Sequence, residues 1–414
     1  MTRRCCQRYW PWFSQACFSP VRLITVRLAL LSTLVFCVLV PVRGDTVAVL
    51  PLYHEPTVEN YDWMGESVAE AIREALDAEG LLALNREDRV EVYRRLSVRS
   101  GAVLTRATVI KIGQTLDAGK VIYGSFEVAL PRDPARATLS ITARLLDLQH
   151  MRPGPEYRES GALADLSLLQ QKLAWQFVHL LAPQSATTEQ AFLASRPPVR
   201  TDAVESYIRG LLATAPDQQM KLFTQAARLD SRFSQPCFQL GRILFGHKSY
   251  KESAQWLERV TRGDSHYMEA RYLLGICRYY AGEFEPAVKL FQEVAAEVPL
   301  NEVYNNLGAA QLRRNDNAAV ANFRKALEGD EADPDYWFNV GYALWKQGDF
   351  QTAAANFRAV LARTPDDMEA TILLGRCLRR EGPTSSDTKL AGRERVKQTY
   401  EETALRQLQA EFKK

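Results

Sequence analysis

Apolar positions in residues 45–183 follow two different periods. Short apolar runs and strict apolar–polar alternation predict strands, whereas an apolar residue at every third or fourth position predicts a helix. The alternation is clearest in residues 137–148, where Leu139, Ile141 and Ala143 share one face. The predicted strands are 46–53, 81–84, 120–130 and 137–148, and the predicted helices are 64–80, 85–96, 106–116 and 165–183. This order predicts a small α/β domain over 45–183, in which helices cover a three- or four-stranded sheet.

From residue 201 onward the chain has only the helical period, and it repeats at longer range. A glycine recurs at intervals of 31, 34, 33, 33 and 34 residues. These glycines are Gly210, Gly241, Gly275, Gly308, Gly341 and Gly375. In most units a small residue stands about twelve positions later and a bulky apolar one follows, as with Ala287 and Phe291. A period near 34 predicts stacked helix pairs that bury their apolar faces only against one another.

This pattern resembles the tetratricopeptide repeat over roughly Thr201 to Glu381. The resemblance implies an all-α superhelix of about five full units and the first helix of a sixth. Two turns are expected to be tight, because the first unit is short between Gly210 and Phe223 and the fourth loses a residue near Asn315. The expected fold is therefore an α/β domain followed by an all-α tetratricopeptide superhelix.

Three other segments complete the predicted organisation. Residues 184–200 are interpreted as a linker between the α/β domain and a repeat array over 201–384. Residues 385–414 are charged and are interpreted as a capping helix or a partly disordered tail. In the capping interpretation, apolar residues of this segment cover the last repeat interface: Leu390, Val396, Tyr400, Leu405 and Leu408.

The amino-terminal segment 1–44 has the pattern of an export signal. Residues 1–27 contain five arginines and no acidic residue, and residues 28–42 are apolar. Cleavage before Asp45 is expected, and an uncleaved inner-membrane anchor with cytoplasmic arginines is the alternative. The protein is thus expected in the periplasm or cell envelope.

Several stretches of the α/β domain resemble a known domain. They are VAVLPL, WMGESVAEAI, IGQTLDAGKVIYGSFEV and ITARLLDL. Together they resemble the domain shared by the TolB amino-terminal region, the flagellar protein FlgO and the curli-secretion protein CsgG. The resemblance implies a bacterial envelope protein with an assembly or adaptor role, and it supplies no catalytic residues at these positions.

The residues indicate no catalytic chemistry. The sequence has no nucleotide-binding, zinc-protease or hydrolase motif. Its five histidines are isolated and expected on the surface or in loops, and Glu66, Glu87 and Asp165 are expected to complement helix amino termini. The cysteines beyond the leader, Cys237, Cys277 and Cys377, are expected to be buried thiols. We therefore predict a protein that is not an enzyme and uses no cofactor or metal, and the net charge of +3 gives no support for nucleic-acid binding.

The resemblance to tetratricopeptide repeats implies a groove lined by the first helix of each unit. The predicted groove residues are aromatic, basic or asparagine: Phe238, Arg242, Tyr272, Tyr279, Tyr280, Asn306, Arg313, Phe338, Asn339, Tyr342, Trp345, Lys346, Arg376, Arg379 and Arg380. Asn306 and Asn339 resemble the asparagines with which some arrays hold a ligand's backbone. The alternatives are repeat consensus for the asparagines, packing between units for the aromatic residues, and pairing of the last arginines with Glu401 and Glu402.

These side chains predict a protein or extended peptide partner, either acidic or apolar. The preferred interpretation is an exported scaffold or adaptor of the bacterial envelope. The alternative is a membrane-anchored regulatory or sensory subunit whose α/β domain binds a small ligand or a signalling partner. The oligomeric state is left open.

Overall fold

The computed structural model describes residues 46–54, 61–99, 101–132, 136–184, 187–384 and 392–401, together with 404, 405 and 408. The described residues belong to a single structural unit. The predicted leader, residues 1–44, lies outside them, so cleavage and anchoring stay predictions. Among the described residues, no helix is both long enough and apolar enough to cross a membrane.

The amino-terminal part is built on one mixed five-stranded sheet. Its strands are β1 (Val47–Val49), β2 (Tyr53–His54), β3 (Lys120–Ala129), β4 (Thr138–Asp147) and β5 (Arg152–Ala162). The order is β1–β3–β4–β5, and β2 also pairs with β3. β1 and β2 run parallel to β3, whereas β3, β4 and β5 are successively antiparallel.

Two strand predictions need correction, because the sheet has five strands rather than three or four. β5 was not predicted, since it carries Pro153 and Pro155 and most of its side chains are exposed. Proline is tolerated there because β5 lies at the sheet edge. Residues 81–84, predicted as a strand, contribute only one bridge, between Ala83 and Val47.

Helices cover both faces of the sheet, and the predicted helices are confirmed to within a few residues. They are α1 (Asp62–Ala78), α2 (Arg86–Arg95), α3 (Arg106–Thr115) and α4 (Leu166–Leu181). Val47 and Val49 of β1 pack with α1 and α4, whereas the alternate residues Ala48 and Leu50 pack with α2 and α3. The two-residue period of the strand thus divides this domain into two cores.

Two predictions about polar residues of this domain were wrong. Glu66 does not cap a helix: it is buried and pairs with Arg86 and Arg89. His54 is not on the surface, because its ring stacks on Phe126 with the centroids 4.6 Å apart. In both cases the packing of one element on another buries a residue that is polar in the sequence pattern.

The second part is a series of antiparallel helix pairs that form a tetratricopeptide-like superhelix. The helices are α6 (Thr201–Leu212), α7 (Pro216–Leu229), α8 (Gln235–Gly246), α9 (Tyr250–Leu257), α10 (Tyr267–Tyr280), α11 (Phe284–Glu297), α12 (Asn301–Arg313), α13 (Ala318–Gly329), α14 (Pro334–Gln347), α15 (Phe350–Arg363) and α16 (Met368–Leu378). They make five pairs and the first helix of a sixth unit, as predicted. The predicted tight turn of the fourth unit places Asn315 in a left-handed conformation, with φ of 57°.

The recurring glycines lie where the two helices of a pair touch. A Cβ atom on Gly275 would lie 2.7 Å from Cε1 of Phe291, and one on Gly308 would lie 2.8 Å from Cδ1 of Phe323. Such distances are too short for any side chain, so the glycine and the bulky residue occur together. Gly375 has no such neighbour, because α16 has no following partner helix among the described residues.

The prediction that the three cysteines of the repeats are buried thiols is confirmed. Cys237, Cys277 and Cys377 are free and buried. Burial raises the pKa of each of these thiols to about 11, so they are protonated and unreactive near neutral pH.

The predicted linker, residues 184–200, is not a free connection in its described part. It contains a short helix, α5 (Glu189–Ser195), whose Phe192 is only 2 % exposed. Phe192 shares one apolar core with α1, α4 and α6. The α/β domain and the first repeat are therefore joined through a common core.

Residues 392–401 differ most from expectation. They are not helical and do not extend the stack as a cap on the last unit. Instead they lie in extended form along the first helices of the repeats, as the next subsection describes. Residues 385–391 and most of 402–414 lie outside the described residues.

Candidate peptide-binding groove

Four first helices, α10, α12, α14 and α16, are successive neighbours in the array. Their shared face is called the groove here, and residues 392–401 are called the C-terminal segment. The segment runs against the order of the repeats. Arg393 lies near Glu369 of the last unit, Lys397 near Asn306, and Tyr400 beside Tyr272 of the third.

Asn306 holds the backbone of one segment residue from both sides. Its Oδ1 accepts the backbone N–H of Lys397 and its Nδ2 donates to the carbonyl of Lys397, both at 2.8 Å. The Tyr272 hydroxyl donates to the same carbonyl at 2.8 Å. Asn306 is fully buried, so these bonds satisfy an amide that would otherwise be costly to bury.

Asn339, one repeat further, makes the same contact with the residue two positions earlier. Its Oδ1 accepts the N–H of Arg395 at 2.8 Å, and its Nδ2 donates to the carbonyl of Arg395 at 2.9 Å. Asn305 donates to that carbonyl at 2.7 Å. Because these bonds use only main-chain atoms of the segment, they fix the position and direction of an extended chain independently of its side chains.

The side chains of the segment alternate between two surroundings, as expected of extended backbone. Arg395 and Lys397 face carboxylates: Arg395 lies 2.6 Å from Asp367 and 3.1 Å from Asp335, and Lys397 lies 2.6 Å from both Asp333 and Asp335. The Arg395 guanidinium also lies 3.7 Å above the Phe338 ring, within range of a cation–π interaction.

These ion pairs stay charged near neutral pH. Burial lowers the pKa of Lys397, but Asp333 and Asp335 outweigh burial and raise that pKa above its ordinary value. Burial likewise raises the pKa of the Asp335 carboxyl, but Lys397 and Arg395 outweigh burial and lower it.

The side chains of Glu394 and Val396, at the alternate positions, contact other residues of the repeats. Val396 packs against the apolar core of the array. Tyr279 donates its hydroxyl to Glu394 at 3.1 Å, and the Arg313 guanidinium lies 3.9 Å from the same carboxylate. Burial nevertheless raises the pKa of Glu394 above its ordinary value.

Many predicted groove residues do meet at the segment. Those that contact it are Tyr272, Tyr279, Tyr280, Asn306, Arg313, Phe338, Asn339 and Tyr342. Burial raises the pKa of Tyr342 to about 12, against hydrogen bonds from the backbone of Arg393 and Gly392. Several of these aromatic rings also pack between helices, as the packing alternative expects, and their role in binding a partner stays a prediction.

The remaining predicted residues lie elsewhere. Phe238 is fully buried and stacks on His266, a half-buried residue of the turn before α10, while Arg242 is exposed beside the Phe238 ring. At the last unit, Trp345 donates to the carbonyl of Glu381, and Arg379 pairs with the Glu381 side chain. The alternative pairing of the last arginines with Glu402 falls on a residue outside the described ones.

Two of the other basic residues of the last units, Arg376 and Lys346, donate to backbone carbonyls of the array, and the third, Arg380, is exposed. Arg376 donates to the carbonyl of Gly382, and Lys346 donates to that of Leu312 at 3.4 Å. Arg380 has a φ of 56°. Of the predicted basic groove residues, Arg313 and Lys346 thus act on Glu394 of the segment and oppose the rise of its pKa, whereas the partners of Arg376 and Arg379 named here belong to the last unit.

Sequence reasoning missed the carboxylates that face the segment: Asp333, Asp335, Asp367 and Glu369. Their signal is visible in the sequence, because all lie within three residues of the start of α14 or α16. There, however, acidic residues are also favoured as helix caps.

Among the described residues, no group of three or more histidine, cysteine, aspartate or glutamate side chains could hold a metal ion.

Comparison with protein families confirms the repeats. Models described as tetratricopeptide repeat match residues 269–301, 308–352 and 338–382. This chain therefore contains tetratricopeptide repeats from the third unit to the last. No comparison tests the resemblance of residues 45–183 to the TolB, FlgO and CsgG domain.

Two curated proteins are similar to part of this chain. Tetratricopeptide repeat protein 8 of Caenorhabditis elegans is 28 % identical over 147 residues, which is 34 % of this chain and 29 % of that protein. Anaphase-promoting complex subunit 6 of Arabidopsis thaliana is 26 % identical over 191 residues, 42 % of this chain and 33 % of that protein. The chain thus spans a third or less of the length of each.

Solved structures with similar helices include YrrB, a tetratricopeptide protein described as having an unusual peptide-binding site. It is 18 % identical, with a TM-score of 0.39, over 41 % of this chain and 91 % of YrrB. MamA from residue 41 to its end, from Desulfovibrio magneticus, is 20 % identical, with a TM-score of 0.37, over 41 % of this chain and 98 % of that MamA chain.

Proposed function

We propose that this protein is a non-enzymatic adaptor that binds an extended segment of a protein partner in its groove. The observation that carries the proposal is the pair of asparagine contacts, in which Asn306 and Asn339 each bind both main-chain groups of one residue. Each amide also bonds inside the array, Asn306 to Tyr272 at 3.0 Å and Asn339 to Asn305 at 2.7 Å, so the segment adds to bonds that the repeats already make. A chain of any partner has the same main-chain groups at the same spacing.

Removing both amides tests the proposal. A labelled peptide of residues 392–401, GRERVKQTYE, is titrated into the full-length chain carrying Arg395→Glu and Lys397→Glu, which repel the attached segment from the groove. Adding Asn306→Ala and Asn339→Ala removes four direct hydrogen bonds to the peptide. We expect the peptide affinity to fall by about 100-fold or more.

Asn356→Ala in the same background is the matched control. Asn356 is also buried, but it lies on α15 and donates to the carbonyl of Thr352 rather than to the segment. We expect this change to leave peptide affinity unaltered, with circular dichroism confirming that all variants are folded. Equal affinity with and without Asn306 and Asn339 would refute the proposal.

We also propose that the adaptor acts in the bacterial envelope. The support is the arginine-rich and apolar pattern of residues 1–44, together with the resemblance of residues 45–183 to the TolB, FlgO and CsgG domain. Cell fractionation with mass analysis of the amino terminus distinguishes a periplasmic chain beginning at Asp45 from a full-length chain in the membrane. Recovery from the cytosol would rule out both.

A further inference from the structure

The groove is acidic where it faces the basic side chains of the segment, although an aromatic and basic groove was expected. Each side chain of Arg393, Arg395 and Lys397 pairs with at least one carboxylate of α14, α16 or the turn before them. An acidic peptide would bring like charges together at these positions. The arrangement favours a basic chain.

The carboxylates are held in place independently of the segment. Asp333 accepts the backbone N–H of Asp335 at 2.8 Å, and Asp367 accepts that of Ala370 at 2.9 Å. Both therefore cap the helix that follows them. Because helix capping fixes these side chains, the acidic face persists when the segment leaves, and it is preorganised for another basic chain.

The spacing of the contacts also specifies a pattern. The asparagine contacts fall on residues 395 and 397, and these are the same residues whose side chains meet Asp335, Asp367 and Asp333. The groove thus binds the main chain and the charged side chain of the same two residues. Between them, Val396 packs on the apolar core of the array.

We propose that the groove selects an extended peptide with basic side chains at alternate positions around a small apolar residue, and that residues 393–397 occupy the place of such a partner. This inference rests on the proposed function and adds the chemistry of the partner. The attached segment is a competitor within the same molecule, and a tether of this kind gives an effective concentration on the order of millimolar. A partner must therefore match the pattern well to displace it.

The test compares two peptides on two full-length chains by fluorescence anisotropy. The peptides are GRERVKQTYE and its charge-reversed form GEEEVEQTYE. The chains are the wild type and the variant with Arg395→Glu and Lys397→Glu. We expect the basic peptide to bind the variant at least about 10-fold more tightly than the wild type, because the internal competitor is weakened.

Charge selection is tested on the same variant. The charge-reversed peptide should bind at least about 10-fold more weakly than the basic one, and adding Asp335→Asn and Asp367→Asn should reduce that difference, with the remainder due to Asp333 and Glu369. Equal binding of both peptides to the variant would overturn the charge selection while leaving the proposed function intact. Failure of both peptides to bind the folded variant would instead overturn the proposed function.

Competition within one molecule has its own test. Equal affinity of the basic peptide for the wild type and the variant would show that the segment does not occupy the partner's place. Light scattering after size exclusion adds a second check. A wild type that is dimeric and a variant that is monomeric would show that the segment fills the groove of a second copy, which contradicts the proposal.

Discussion

The amides of Asn306 and Asn339 show how a repeat places chemistry at regular distances. The two residues are 33 positions apart and each precedes its glycine by two, so each contacts the segment from the same place in its unit. Adjacent units hold residues 397 and 395 in turn. Because the same contact recurs in adjacent units, each unit binds the extended chain two residues away from the position bound by the previous unit.

These asparagines could be predicted from their offset in the repeat, but their ligand could not. The carboxylates at the helix starts have a sufficient role as caps, so the sequence gives no separate sign that they face a basic chain. The alternation in residues 393–397 was also obscured, because charged residues around a few apolar ones fit a trailing helix equally well. Only the fold brings residues 395 and 335 together.

At the residue scale, Glu74 of α1 makes stability depend on pH. Its side chain, 15 % exposed, lines a cavity of about 180 Å³ between the α/β domain and the first repeats. Burial and the neighbouring Glu70 raise the pKa of Glu74 to about 8, while Arg73 opposes them. Other titratable groups around it include Asp264, His266, Arg196 and Tyr207.

Because the folded state favours protonated Glu74, the wild type should lose stability as pH rises from about 4.5 toward and through about 8. Glu74→Gln retains a neutral side chain at all pH values. We expect it to leave the melting temperature nearly unchanged at pH 5 and to raise it at pH 9. Glu205→Gln on the surface of α6 is the control, and an equal effect of Glu74→Gln at both pH values would contradict the raised pKa.

At the scale of elements, the helix pairs follow from the sequence more directly than the sheet does. Each pair has a glycine and a bulky residue in contact, and this spacing is visible as a period. β5 has no such signal, because it is an exposed edge strand whose pairing with β4 is made by backbone groups. Its register depends on β4 rather than on its own apolar pattern.

Substitution at a helix contact tests this account of the pairs. Gly275→Ala places a Cβ 2.7 Å from the Phe291 ring, so α10 and α11 must separate. We expect the free energy of unfolding to fall by about 1–3 kcal/mol, as measured by urea denaturation.

Gly246→Ala is the matched control, because Gly246 is also helical and has no atom within 4 Å of the added Cβ. It should be neutral or stabilising by up to about 1 kcal/mol. Similar destabilisation by both changes would show that helix propensity, rather than the contact with Phe291, explains the glycine.

At the scale of the whole molecule, two connections bring together residues of the α/β domain, the repeat array and the C-terminal segment that are far apart in sequence. Phe192 ties the first repeat to the α/β domain through a shared core. The C-terminal segment returns along the groove, and its Tyr400 lines one cavity together with Leu405, Asp77 of the α/β domain and Arg242 of the array. Neither connection was predicted, since both depend on contacts between residues far apart in sequence.

Amide hydrogen exchange on the full-length protein measures whether the repeats hold an extended backbone at residues 395 and 397. We expect the amides of Arg395 and Lys397 to exchange at least about 100-fold more slowly than in the free peptide GRERVKQTYE, and Asn306→Ala with Asn339→Ala to remove this protection. Exchange of both amides in the wild type at the rate of the free peptide would show that the repeats do not hold this backbone.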